Sequence, residues 1–138
     1  MVVDGEAAFI IQSETHSSAD ITAVLGIEPS DSAERGDLVS SRTTKVRDFS
    51  VWILRESPKN DPDDRTGFGT MAVLLERLAG IGPKLDVLRT DCRIFFDWFG
   101  HSDSTQGGFV LPSELLAQIA ELRCDLYGEV YLDSEAED

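Results

Sequence analysis

"LLERLAGIGPKLDVLRTDCRIFFDWF", residues 74–99, contains two helices, a break and a strand, and the way the chain turns through it decides the fold. Met71, Leu74, Leu75 and Leu78 recur at helical spacing, and Gly80 is placed to end that helix. A proline inside one continuous helix would cost about 3 kcal/mol, so the reading is two helices broken at Gly82–Pro83. Pro83 suits a first helical turn, and Leu85 and Leu88 give the second helix its apolar edge. Residues 91–99 then change period from helical to two. Cys92, Ile94, Phe96 and Trp98 point one way, and Arg93, Phe95, Asp97 and Phe99 the other.

Working outward, "AAFIIQSE" (7–14) reads as a strand buried on most of its surface. Residues 17–25 form a short amphipathic helix: Ser17 or Ser18 caps it, Asp20 complements its dipole, Ile21, Val24 and Leu25 are its stripe, and Gly26 and Pro29 stop it. Residues 28–48 are polar, with "DLVSS" and "TTKVR" able to pair weakly as a ribbon. "DFSVWILRE" (48–56) is a strand apolar on both faces. "SPKNDPDDRTG" (57–67) collects turn formers and reads as an exposed loop. After a polar turn at 100–108, Pro112 opens a helix with Leu115, Leu116, Ile119 and Leu122 on its buried side. A last strand follows, with Leu126, Val130 and Leu132 opposite Tyr127, Glu129 and Tyr131.

Strand, turn containing His-Ser, helix and strand thus occur twice, in 7–56 and 91–132. Two such split units interleave into a ferredoxin-like α+β fold: a four-stranded antiparallel sheet, two flanking helices and an additional helix pair. In that arrangement the helix pair reverses the chain twice between the second and third strands. Residues 1–132 form one domain in this reading, and 133–138 an acidic tail with nothing to bury.

The composition narrows the function. With 41% apolar and 28% charged residues over 138 positions, the chain reads as globular, and that length buries roughly two-thirds of the unfolded surface. The formal charge of −14, from 26 acidic and 12 basic residues, repels phosphate backbones and anionic lipid, so neither nucleic acid nor a membrane is expected as a partner. The start "MVVDGEAAF" has neither the basic flank nor the apolar run of a secretion signal, and the expectation is a soluble cytoplasmic protein. Cys92 and Cys124 are too few for a disulfide framework and read as small core residues.

Several marks together carry a family resemblance: the Leu-Gly-x-x-Pro turn at 25–29, Gly36 in "LGIEPSDSAERGD", Trp52 in "SVWILRE", the stretch "LLERLAGIGPKLDVLRT", and "GGFVLPSELLAQIAEL" leading into an aromatic last strand. This pattern resembles the bacterial domain of unknown function family numbered 4279 over nearly the whole chain. The resemblance implies a small bacterial α+β domain with no assigned activity and no functional residues to carry over.

His101, Asp97, Asp103 and His16 are suitable ligand types for zinc or iron, but their spacing fixes no three on rigid elements, so no metal and no cofactor is expected. Ser102 and Ser104 lack a Gly-x-Ser-x-Gly elbow, and the cysteines read as core residues, which leaves no catalytic candidate. "GFGT" (67–70) lacks the lysine and third glycine of a phosphate loop and reads as a helix start. The face carrying Phe95, Phe99, Tyr127 and Tyr131 is the candidate partner-binding patch, unless the helix pair at 67–90 covers it as a second core layer.

The leading reading is a non-enzymatic protein-interaction module that binds a basic protein, as acidic inhibitors and immunity proteins do. The alternative is a small-ligand sensor or enzyme in which Arg42, Lys45 and Arg47 hold an anion in a cleft near residues 35–47.

Overall fold

The computed structural model describes residues 1–57, 64 and 66–134. The elements run β1 (Val2–Ser13), α1 (Ser18–Leu25), β2 (Asp31–Ala33), β3 (Ser50–Glu56), α2 (Gly69–Arg77), α3 (Gly82–Leu88), β4 (Cys92–Ser102), α4 (Ser113–Glu121) and β5 (Asp125–Tyr131). Local chemistry explains most of the boundaries. Ser17 and Asp20 form a reciprocal capping box at the start of α1, and Gly26, at φ 71°, closes its end by donating to the Thr22 carbonyl. The break between α2 and α3 falls where Gly80 takes φ 79° and Pro83 enters the first turn of α3.

The five strands form one mixed sheet in the order β2-β3-β1-β4-β5. This corrects the four-stranded antiparallel ferredoxin-like expectation in three respects. A short edge strand, β2, pairs antiparallel with β3. β3 lies directly beside β1, antiparallel to it. β5 lies beside β4 and runs parallel to it, not antiparallel beside β1.

The physical reason lies in the connections. A parallel neighbour needs a crossover of about a dozen or more residues, and α4 with its flanking loops supplies one between β4 and β5. β3 and β4 are both antiparallel to β1, so they share a direction, and α2 and α3 together carry the chain across β1 between them. One split strand–helix–strand unit is therefore present, but the helix pair acts as a single crossover instead of reversing the chain twice.

The helices all contribute to one buried cluster. Ala7, Phe9 and Ile11 of β1, Trp52 and Leu54 of β3, and Phe96 and Trp98 of β4 meet Ile21 and Leu25, Met71 and Leu74, Leu85 and Leu88, and Leu115 and Ile119 there. Leu126 and Val130 of β5 pack against its edge. The four helices therefore cover the same sheet face. Cys92 and Cys124 are half-buried at its margin, and burial pushes both thiols up from their ordinary pKa.

Trp98 anchors one end of the core. Its ring stacks on Phe68 at 4.1 Å, and its indole N–H donates to the Gly67 carbonyl at 2.8 Å. The space it fills exists because Gly5 and Gly100 carry no side chain: a Cβ at Gly100 would stand 2.7 Å from the ring. Most of the turn-rich loop expected over 57–67 (58–63 and 65), and residues 135–138 of the acidic tail, lie outside the described residues. Residue 133 is tied in, its amide donating to the Ser104 carbonyl at 3.0 Å.

Candidate functional site

The sheet face opposite the helices carries no helix among the described residues. Side chains alternate along each strand, so the register fixes which ones share this face. Across β3, β1, β4 and β5 the rows read Ile53, Ile10, Phe95 and Asp125, then Arg55, Ala8, Asp97 and Tyr127, then Glu6, Phe99 and Glu129, then Asp4, His101 and Tyr131. The four aromatic residues expected to cluster do so. Phe95 meets Tyr127 edge-on at 5.4 Å, and Phe99 meets Tyr131 edge-on at 5.9 Å.

Their exposure differs in a way the chain order explains. Tyr127 and Tyr131, on the edge strand, are 47% and 51% exposed, whereas Phe95, on β4, is only 9% exposed. The Arg93 guanidinium lies over the Phe95 ring at 4.6 Å and the Tyr127 ring at 5.2 Å, and donates to the Tyr127 hydroxyl at 2.5 Å. Phe95 is thus shielded by its own neighbours on the face and not by a second layer. The alternative in which α2 and α3 cover these aromatics is overturned, because both helices pack on the Phe96 and Trp98 side.

Between the two aromatic pairs sit two carboxylates, Asp97 and Glu129. Asp97 is half-buried, and burial first, then the Glu129 charge, raises its pKa above the usual carboxylate range despite a lowering contribution from Arg55. Arg55 is itself paired with Glu6 at 3.2 Å. Tyr131 donates its hydroxyl to Glu129 at 3.0 Å, which holds the phenol proton on and raises that pKa as well. His101 stacks on Tyr131 at 5.5 Å with Nδ1 3.0 Å from Asp4 Oδ1. Arg55 and Arg93, the face's arginines among the described residues, are therefore already engaged, and a like-charged carboxylate pair stands among aromatic rings.

The remaining candidates fall elsewhere. Arg42 and Lys45 are exposed and Arg47 half-buried on the ribbon after β2, held by a Leu38–Val46 bridge and by bonds from the Val39 amide to the Lys45 carbonyl and the Arg47 amide to the Asp37 carbonyl. They do not join the aromatic face. His16 pairs with Asp91 at 3.2 Å beyond one end of β1, while His101 pairs with Asp4 near the other, so the proposed ligand set is dispersed. Among the described residues no group of three or more His, Cys, Asp or Glu side chains could hold a metal ion. The start of α2 is met by a carboxylate: Asp64 accepts from the Gly69 amide at 3.0 Å and the Thr66 amide at 2.9 Å. No helix among the described residues is long and apolar enough to cross a membrane.

Asp4, Glu6 and Arg55 belong to this face but do not stand out in the sequence as site residues. For Asp4 and Glu6 the signal is the alternation of β1 extended back to Val2, which Asp4-Gly5-Glu6 disguises as a turn, and for Arg55 it is its place beside Ala8 in the β3–β1 register. A search of curated proteins returned no match, and neither did a search of solved structures. A family model, Domain of unknown function (DUF4279), matches residues 4–133, a span that takes in every described strand and helix except the first two residues of β1. The chain belongs to that family.

Proposed function

We propose that the chain is a non-enzymatic protein-interaction module that docks a basic protein on the uncovered face of β1, β4 and β5. The observation that carries this reading is the arrangement on that face: two aromatic pairs, Phe95–Tyr127 and Phe99–Tyr131, flank the Asp97–Glu129 carboxylate pair. Large aromatic side chains supply most of the contact energy in protein interfaces, and tyrosine does so at low entropic cost. A lysine or arginine from the partner would relieve the repulsion between the two carboxylates, with its aliphatic stem against the rings.

Charge supports the same class of partner. Among the described residues, Asp4, Glu6, Asp97, Asp125 and Glu129 outnumber Arg55 and Arg93 on the face, and the chain as a whole carries −14. Such a field accelerates encounter with a basic surface and discourages acidic ones, the behaviour of inhibitors and immunity proteins that neutralise basic toxins.

The test is a titration of the isotope-labelled chain with a short peptide alternating arginine and valine, followed by amide shifts. Shifts concentrated on β4 and β5 are expected, with affinity reduced about tenfold or more in Tyr127→Ala and in Asp97→Asn/Glu129→Gln. Shifts centred on the helical face, or equal affinity in these variants, would refute the assignment.

A further inference from the structure

The helical side of the molecule holds a groove of about 770 Å³ between α2, α3 and α4, within the range of pockets that take one small ligand. We infer that it is a second site, independent of the sheet face, and that it takes a small linear polyamine. Leu75, Leu115 and Leu122 give it an apolar floor, and three carboxylates, Glu76, Glu114 and Glu121, stand along it. Glu114, Gln118 and Glu121 occupy one side of α4 at i, i+4 and i+7, so the two glutamates are about 10.5 Å apart along the helix axis.

The groove's own cations do not neutralise those groups. Arg89 donates to the Leu122 and Arg123 carbonyls and, through Nε, to Asp86 at 3.2 Å. Arg123 donates to the same Asp86 at 2.6 Å. Both guanidiniums and Asp86 are thereby engaged at the α3–α4 end, and Glu76, Glu114 and Glu121 have no ion pair among the described residues. The rim is therefore acidic and the floor greasy. Glu114 and Glu121, two helix turns apart, are too far separated to ligate one metal ion together, and an anion would be repelled. A chain of methylenes with ammonium groups about 10 Å apart satisfies both features: its carbons lie on the leucines and its ends meet Glu114 and Glu121.

The test is isothermal titration calorimetry of the full chain with spermidine at about 0.15 M salt, where diffuse attraction to a charged surface is screened beyond about 8 Å. Saturable one-to-one binding is expected. It should weaken about tenfold in Glu114→Gln/Glu121→Gln, and also in Gln118→Lys, which places an ammonium group in the groove. All three substituted positions are exposed, and Tyr127→Ala on the other side of the sheet should leave binding unchanged. Binding without defined stoichiometry, displacement by magnesium at equal charge, or equal affinity in the double variant would overturn the site, because each marks a diffuse ion atmosphere around an acidic protein.

Discussion

Phe96 and Phe99 sit three positions apart on β4 and face opposite ways, which makes truncating each of them a direct comparison of the covered and uncovered sides. Phe96 is fully buried, 5.0 Å from Phe9 within the helix-covered core. Replacing a buried phenylalanine by alanine removes its transfer energy and leaves a cavity, together costing about 3–5 kcal/mol. Phe99 is only partly buried and touches only Tyr131 and His101 among aromatic groups, edge-on at 5.9 and 5.7 Å. Losing such contacts costs about 0.5–1.5 kcal/mol beyond the ring's partial burial, about 1.5–3 kcal/mol in total. At roughly 2.1 cal/mol/K per residue, a chain of this length has an unfolding entropy of about 0.29 kcal/mol/K near its midpoint. Phe96→Ala should therefore lower Tm by about 10–17 °C, and Phe99→Ala by about 5–10 °C. Differential scanning calorimetry at matched concentration measures both. Equal losses would mean that Phe99 lies under a second core layer, and the docking surface would not exist.

Three further outcomes follow from the same coordinates. Gly100→Ala puts a methyl group 2.7–2.8 Å from the Trp98 ring and from Val2, so overpacking should cost about 1–3 kcal/mol and red-shift the indole emission as the ring is displaced. The folded-state pKa of Asp97 is raised, so the folded chain holds that proton more tightly and Asp97 reduces stability once pH exceeds the folded value. Asp97→Asn should therefore be more stable than the parent at pH 7 by about 0.5 kcal/mol, the scale of one cross-strand charge contact, with the difference vanishing below the unfolded value of about 3.9; urea titrations across pH check the sign. Cys92 and Cys124, with thiol pKa values raised by burial, should react with an uncharged disulfide reagent several-fold more slowly than a free cysteine at pH 8, and reach that of the free thiol on unfolding.

How much of this was legible in the sequence depends on the kind of information each feature needs. Which side chains share a face follows from a period of two and does not depend on the direction of the neighbouring strand. The opposition of Phe96 and Trp98 to Phe95 and Phe99 therefore held even though β5 proved parallel to β4. Strand direction is set instead by what the intervening segments cross, and nothing local in "FVLPSELLAQIAEL" distinguishes a crossover to a parallel neighbour from a return to β1. β2 escaped notice because Asp31-Ser32-Ala33 is three residues long and has no apolar period. The first half of β1 was hidden because Asp4 and Glu6 face outward and Gly5 is required by the Trp98 ring, so one stretch serves packing and surface together.

The exposure of the aromatic face is tested most directly by hydroxyl-radical footprinting of the folded chain, read residue by residue with mass spectrometry. Tyr127 and Tyr131 should oxidise at rates near those of the unfolded chain, while Trp52 and Trp98, at most 1% exposed, should be strongly protected. Protection of the two tyrosines to the level of the tryptophans would show that the face is covered in the isolated protein and would contradict its role as a docking surface.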